Sequence, residues 1–277
     1  QSLGVVRWLS ENQGSFADLL GGKLEQEQKV VFDLSVGSLD YEYPPDVLDA
    51  RRFERAVKDR LASTGATIAV GRYNEARLIY GGGQYLPVSP TSIEARTVHI
   101  ALDLFVPAGT PVHAPIEGTV HSFRNNDIPY DNGPTIVLEH RVADDLSFYT
   151  LYAHLSTDSI VGLKKGQRIA KGSQMARVGQ YPTNGGWPSH LHFQVISDML
   201  DMEGDFLGVA WPSQRSIWTS ICPDPNLILG IADDVFPERA PSKSDTLALR
   251  RHHIGPSLSL SYQEPLKVVR GYMQYLY

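Results

Sequence analysis

Hydrophobic and polar positions change rhythm twice along the chain. Over the first ninety residues helix-like and strand-like patterns alternate. Lys29 to Val36 (KVVFDLSV) reads as a strand, Pro45 and Asp46 open a helix in which Phe53, Val57 and Leu61 recur at a spacing of four, and Gly65 follows as its cap. Ala66 to Val70 and Arg77 to Tyr80 read as further strands, so residues 1–90 are expected to form a small α/β connecting domain. From residue 91 to 230 short apolar runs are separated by turn residues every eight to twelve positions, among them Gly109, Gly118, Asn132-Gly133, Gly162, Gly166, Gly172 and Gly179, which predicts a mainly antiparallel sheet or sandwich. Residues 231–277 begin with Asp233-Asp234 and continue through a Pro/Ser-rich linker, Pro237 to Ser244, a short helical segment from Thr246 to His252, and a tail that reads as an unfinished strand pair. The expected class is α+β: an antiparallel β-sandwich-like domain, preceded by a small α/β unit and followed by a linker and truncated tail. The ends suggest a piece of a longer polypeptide.

Composition narrows the function. Lys plus Arg number 25 and Asp plus Glu 31, giving a net charge of −6, and no basic run is present, which argues against a nucleic-acid partner or a polybasic membrane anchor. No stretch approaches the ~18 consecutive apolar residues of a membrane-spanning helix. The single cysteine, Cys222, forms no intrachain disulfide and is expected to be a small buried residue. Gly81 to Gly83 lie before Pro87 and not before a helix, so the dinucleotide and phosphate-loop templates both fail and no cofactor-binding residues are assigned.

The histidines carry the chemistry. In Val98 to Phe105 (VHIALDLF), read with a period of two, Val98, Ile100, Leu102 and Leu104 share one face, and His99, Ala101 and Asp103 the other. In Ser189 to Val195 (SHLHFQV) His190, His192 and Gln194 point opposite to Leu191, Phe193 and Val195. In Phe148 to Leu155 (FYTLYAHL) Thr150, Tyr152 and His154 share a face. Each segment alone is compatible with an ordinary core or surface histidine or a salt-bridged strand pair. Their coincidence points to a metal site. Two histidines and a carboxylate suit catalytic zinc with a position left for water, so His99, Asp103 and His192 are assigned as ligands. His154 and His190 are expected beside the ion without touching it, one as proton acceptor and the other, when protonated, holding a developing oxyanion. His113, His121, His140, His252 and His253 are expected to be core or surface residues.

At these positions the sequence resembles the lysostaphin-type (LytM-like) zinc metallopeptidase family, whose pattern H-x-G-x-D, Y-x-H and H-x-H stands here as His99-Ile-Ala-Leu-Asp103, Tyr152-Ala-His154 and His190-Leu-His192. The intervening words PAGTPVHAP (107–115), EGTV (117–120), YAHLS (152–156), GQRIAKG (166–172) and HLHFQ (190–194) match as well. The resemblance implies one Zn2+ held by His99, Asp103 and His192, with His154 and His190 catalytic, and hydrolysis of a peptide or amide bond by metal-activated water. In relatives the substrate is a glycine-containing cross-bridge or stem peptide of peptidoglycan. Ala101 departs from the usual glycine and adds a methyl near the ligands. The segment YPTNGGWP (181–188) resembles the glycine-rich loop that walls the substrate groove.

The tail, Ile254 to Tyr277, resembles the opening of a class-III aminotransferase-fold enzyme. The order therefore resembles bacterial fusions of a kinase-like domain, a lysostaphin-like domain and such a pyridoxal-phosphate enzyme, with pyridoxal phosphate confined to the missing downstream domain. That implies covalently linked neighbouring enzymes, a cytoplasmic location, with export to the cell envelope as the alternative, and a small peptide or amide substrate. Two other readings stay open: a non-catalytic, metal-stabilised connector within such a fusion, and a two-His, one-carboxylate non-haem iron centre.

Overall fold

In the computed structural model, which describes residues 2–35, 38, 40, 49–77, 79, 80, 85 and 94–236, the chain opens with helices α1 (Ser2–Glu11) and α2 (Lys23–Gln26), strand β1 (Lys29–Val31), helix α3 (Ala50–Thr64), and strands β2 (Ile68–Gly71) and β3 (Glu75–Ala76). There follow β4 (Val98–His99), β5 (Leu102–Phe105), β6 (Pro111–His113), β7 (Gly118–Asn126), β8 (Gly133–Ala143) and β9 (Leu146–Ala153). Then come β10 (Arg168–Ile169), β11 (Gln174–Arg177), β12 (Leu191–Ile196), β13 (Val209–Ala210), and helices α4 (Arg215–Ile221) and α5 (Asn226–Leu229). The class is the expected α+β with antiparallel strands dominant. Eight strands form one sheet in the order β1-β2-β5-β12-β9-β8-β7-β10; β6 pairs with β11, and β4 lies between β3 and β13. Within the large sheet β1 and β2 run parallel and every other neighbouring pair is antiparallel. Strands β1 and β2, from the first stretch, therefore continue the sheet that β5 and β12 build. Among the described residues no helix is long and apolar enough to cross a membrane. The linker from Pro237, the Thr246 to His252 segment, the tail, and Pro45 and Asp46 lie outside the described residues.

Strand alternation sends the two faces of the sheet to different cores. One face, carrying Leu102, Leu104, Tyr152, Leu191 and Phe193, packs with Val5 and Leu9 of α1, Leu19, Leu20, and Val112 and Ala176 from the β6–β11 pair. The opposite face supports two smaller clusters. Phe32, Phe53, Val57, Phe105 and Trp187 make one. Val98, Ile100, Leu151, Ala153, Phe206 and Cys222 make the other.

Four expected elements are corrected. The strand Lys29 to Val36 stops at Val31; Phe32 N still donates to Val70, but Asp33 Oδ1 then accepts from Ser35 N (3.0 Å), a local side-chain bond that ends the ladder. Helix α3 starts at Ala50 because Asp49 Oδ1 accepts from Arg51 N and Arg52 N, and it ends as expected at Gly65 in the left-handed region (φ 71°). Of Arg77 to Tyr80, the described residues 77, 79 and 80 lie in no strand: pairing starts earlier, at β3, after a turn through Asn74 (φ 56°), and Arg77 makes an isolated bridge to Ser35. Finally, Val98 to Phe105 is two strands that change sheets at Ile100 and Ala101, so Val98 and Ile100 enter a different core from Leu102 and Leu104.

Phe53 of α3 lies between Phe32 and Phe105, with ring centroids 5.8 and 5.7 Å away. Replacing Phe53 with Ala is expected to cost about 3–5 kcal/mol of unfolding free energy, measured by urea denaturation, because it removes a buried ring packed between two others. His140 gives a pH test. It is fully buried, its Nδ1–H donates to the Glu117 carbonyl (2.8 Å), Nε2 lies 2.7 Å from Thr150 Oγ1, and burial lowers its pKa to about 4. The unfolded chain takes up this proton near pH 6.5, so the contribution is complete above that pH and is lost, by up to ~1.4 kcal/mol per unit, as pH falls toward 4. A His140→Gln variant is expected to lack that part of the slope when unfolding is compared across pH 4 to 7; identical slopes would refute the assignment.

Candidate metal centre

The site occupies the middle of the second sheet face, between its two small apolar clusters. Asp103 of β5 faces His192 of β12 in antiparallel register, and His99 reaches the same point from β4. Three atoms meet there. His99 Nε2, His192 Nδ1 and Asp103 Oδ1 are each 3.2 Å from the other two. All three side chains are buried.

The tautomers make this convergence chemically pointed. His99 Nδ1–H donates to the Arg72 carbonyl (3.1 Å), and His192 Nε2–H donates to Gln194 Oε1 (3.3 Å), so the two nitrogens that face each other present lone pairs. Gln194 is itself fixed by donating to the Leu207 carbonyl (3.0 Å) and to Cys222 Sγ (3.1 Å). Cys222 is the small buried residue expected. Gly208 lies so close to the His192 ring that a Cβ there would come within 2.9 Å of Cε1. Asp103 Oδ1 has no hydrogen-bond donor of its own. Three acceptors converging without a proton among them could hold a cation. Four ligands around zinc at ~2.0–2.1 Å in tetrahedral geometry stand about 3.3 Å apart, close to the spacing seen, so the residues fit that ion.

The charge environment agrees. Burial, and then the nearby Arg77 guanidinium, lower the pKa of His99 to about 4. At Asp103 burial acts to raise the carboxyl, but His99 and Arg77 outweigh it and hold it well below its ordinary value. His99 and Asp103 are therefore deprotonated at neutral pH, as metal binding requires of its ligands.

His154 and His190 stand beside these three. Their ring centroids are 4.3 Å apart, and His190 Nε2 is 3.8 Å from Asp103 Oδ1. His154 Nδ1–H donates to the Asn184 carbonyl (2.9 Å) and His190 Nδ1–H to the Pro188 carbonyl (2.7 Å), leaving both Nε2 atoms with lone pairs. Burial lowers both pKa values, and the adjacent histidines press His154 further. The expectation that Thr150, Tyr152 and His154 share a face is corrected. Tyr152 lies with Phe193 in the opposite core, and Thr150 hydrogen-bonds His140 there. Strand β9 ends at Ala153, and His154 takes a left-handed φ of 59°, which turns its side chain to the metal face. Ala101 is fully buried where the chain changes sheets.

A pocket opens over the site, lined partly by Tyr80, Tyr85, Trp187 and Asp205. The segment 181–188 lies against it, through Trp187, 6.3 Å from His154 between ring centroids, and the Asn184 carbonyl. Sequence reasoning missed Arg77. Its side chain is buried and donates from Nη1 to Asp103 Oδ2 (2.6 Å) and from Nε to Glu75 Oε2 (2.8 Å); nothing in the spacing from 77 to 103 signals that contact.

Residues 97–203 match the model of Peptidase family M23. The peptidoglycan DD-endopeptidase ShyA of Vibrio cholerae serotype O1 (strain ATCC 39315 / El Tor Inaba N16961) is 33% identical over 98 residues, 35% of this chain and 20% of its own. The chain thus spans about a fifth of the length of that curated relative. Among solved structures, a zinc containing peptidase from Vibrio cholerae is 29% identical, covering 40% of this chain and 30% of that one, with a TM-score of 0.30. The catalytic domain of the antimicrobial peptidase lysostaphin from Staphylococcus simulans is 24% identical, covering 46% and 83%, also at 0.30. Over residues 97–203 the chain is thus similar to Peptidase family M23, and the curated relative shares that similarity over a stretch of comparable length.

Proposed function

We propose that this domain is a zinc-dependent hydrolase that cleaves a peptide or amide bond. The observation that carries the reading is the triangle of three buried acceptors, 3.2 Å on each side, with two neutral imidazoles beside it. His99, Asp103 and His192 would hold the ion, which when bound acidifies water and polarises a substrate carbonyl. His154 accepts the proton of the attacking water at Nε2; its Nδ1–H stays on the Asn184 carbonyl and keeps the ring aimed. His190 is the imidazole better placed to carry a proton, because the Asp103 carboxylate lies 3.8 Å from its Nε2. Protonated, it donates from Nε2 to the oxygen that gains charge as the carbonyl carbon becomes tetrahedral, and Phe105, stacked 4.9 Å from its ring, limits its motion. The buried walls restrict water to the reacting positions.

The substrate class is a peptide. The relative named a peptidoglycan DD-endopeptidase makes the cross-linked stem peptide the first candidate, and short glycine-containing peptides the second.

His192→Ala is expected to lose most bound zinc, whereas His154→Ala retains zinc and loses about 100-fold or more in turnover. Metal content by plasma mass spectrometry and hydrolysis of both peptide types, followed by amine release, check this together. Removing the metal with a chelator should abolish hydrolysis and adding zinc restore it. A protein that holds no metal, or one that keeps full activity after His154→Ala and His190→Ala, would overturn the proposal.

A further inference from the structure

The turn that joins β2 to β3 reaches two of the three proposed ligands. Gly71 of β2 pairs with Asp103 of β5, and Glu75 of β3 pairs with His99 of β4. Between them the Arg72 carbonyl accepts hydrogen bonds from both His99 Nδ1 (3.1 Å) and Arg77 Nη2 (3.2 Å). Arg77 is 1% exposed and extends its guanidinium under Asp103, where Nη1 meets Oδ2 at 2.6 Å and the Tyr80 hydroxyl at 3.2 Å, while Nε meets Glu75. Glu75 in turn pairs with Arg72 Nη1 (3.1 Å). A Cβ on Gly71 would stand 2.8 Å from Arg77 Nη2 and 3.1 Å from Asp103 Oδ2, so the absent side chain leaves the room in which the ion pair forms.

We infer that Arg77, braced by Glu75 and the Arg72 carbonyl, is a positioning residue that fixes Asp103 by Oδ2 and presents Oδ1 alone to the metal. The two carboxylate oxygens are in different situations: Oδ2 takes the guanidinium, while Oδ1 is buried without a donor and faces the two histidine lone pairs. A carboxylate released from Arg77 is free to rotate, to bind through both oxygens or to turn away. The planar fork of the guanidinium holds one orientation where an ammonium supplies a point charge. Outer-sphere partners of this kind tune metal affinity by their hold on the ligand. All of these residues, 71 to 77, precede the segment that matches the peptidase family, so the stretch before that domain completes its metal site. The inference rests on the metal reading proposed above.

The test is zinc affinity, read by competition with a chromophoric chelator on the metal-stripped full chain, together with the visible spectrum of the cobalt-loaded protein. Arg77→Met with Glu75→Gln, which removes the buried charge pair together, is expected to lower zinc affinity about 10–100-fold and to change the cobalt bands. Arg77→Lys, which keeps the charge and carries the test if the neutral pair does not fold, should recover only part of the affinity. His154→Ala should leave affinity unchanged. If the parent chain binds zinc and the folded Arg77 variants bind it equally with the same cobalt spectrum, the positioning role is overturned while the metal reading stands. If the parent chain itself binds no zinc, the metal reading fails and this inference with it.

Discussion

A carboxylate buried in an apolar sheet face is strongly unfavourable unless its charge is met on more than one side. Asp103 is 2% exposed, and the rest of the centre is arranged around meeting that charge. Arg77 answers Oδ2 directly. Among the described residues no donor hydrogen-bonds Oδ1, and the two imidazoles that approach it both turn lone pairs toward it. Without a cation the arrangement sets three acceptors against one another in a low-dielectric pocket. Under the proposed reading a small divalent ion with N and O ligands would relieve all three at once.

The backbone departs from regularity where the site needs it to. A continuous strand from Val98 to Phe105 would place His99 and Asp103 in one sheet, about 13 Å apart along the strand axis at ~3.3 Å per residue. The change of sheet at Ile100 and Ala101 folds that distance back, and His99 Nε2 comes to 3.2 Å from Asp103 Oδ1. His154 is the second case: alternation assigns it to the wrong face, and one left-handed residue after β9 corrects it. Local rules of chain propensity fail at both places, as they do where function constrains the backbone.

That failure marks how far the sequence was readable. The register of β12 follows directly from Leu191, Phe193 and Val195 alternating with His192 and Gln194, and α3 follows from Phe53, Val57 and Gly65. The pairing of His99 with Asp103 was found by the correct residues and an incomplete geometry, since a parity argument puts them on one side but says nothing of the bend that joins them. The tautomers were not readable, because they depend on the carbonyls of Arg72, Asn184 and Pro188, which any residue could supply. Nor was Arg77, whose neighbours in sequence suggest an ordinary strand. Its role depends on Gly71 lacking a side chain opposite Asp103, a relation between strands and not between neighbours in the chain.

Each proposed ligand is oriented by a group from a different part of the fold. His99 is held by the Arg72 carbonyl, Asp103 by Arg77, and His192 by Gln194, itself tied to the Leu207 carbonyl and Cys222 Sγ. The three ligands and Gln194 fall inside residues 97–203; Arg72, Arg77, Leu207 and Cys222 fall outside. The segment similar to Peptidase family M23 thus holds the proposed donor atoms, while groups on either side hydrogen-bond the side chains that carry them, directly or through Gln194. Donor identity decides which metals can bind; donor direction decides how tightly, and how much room remains for water and substrate. The similarity over residues 97–203 therefore bears on the donor atoms, and under the proposed reading residues 71–77 and 207–222, which lie outside that segment, would bear on how tightly the centre holds its ion.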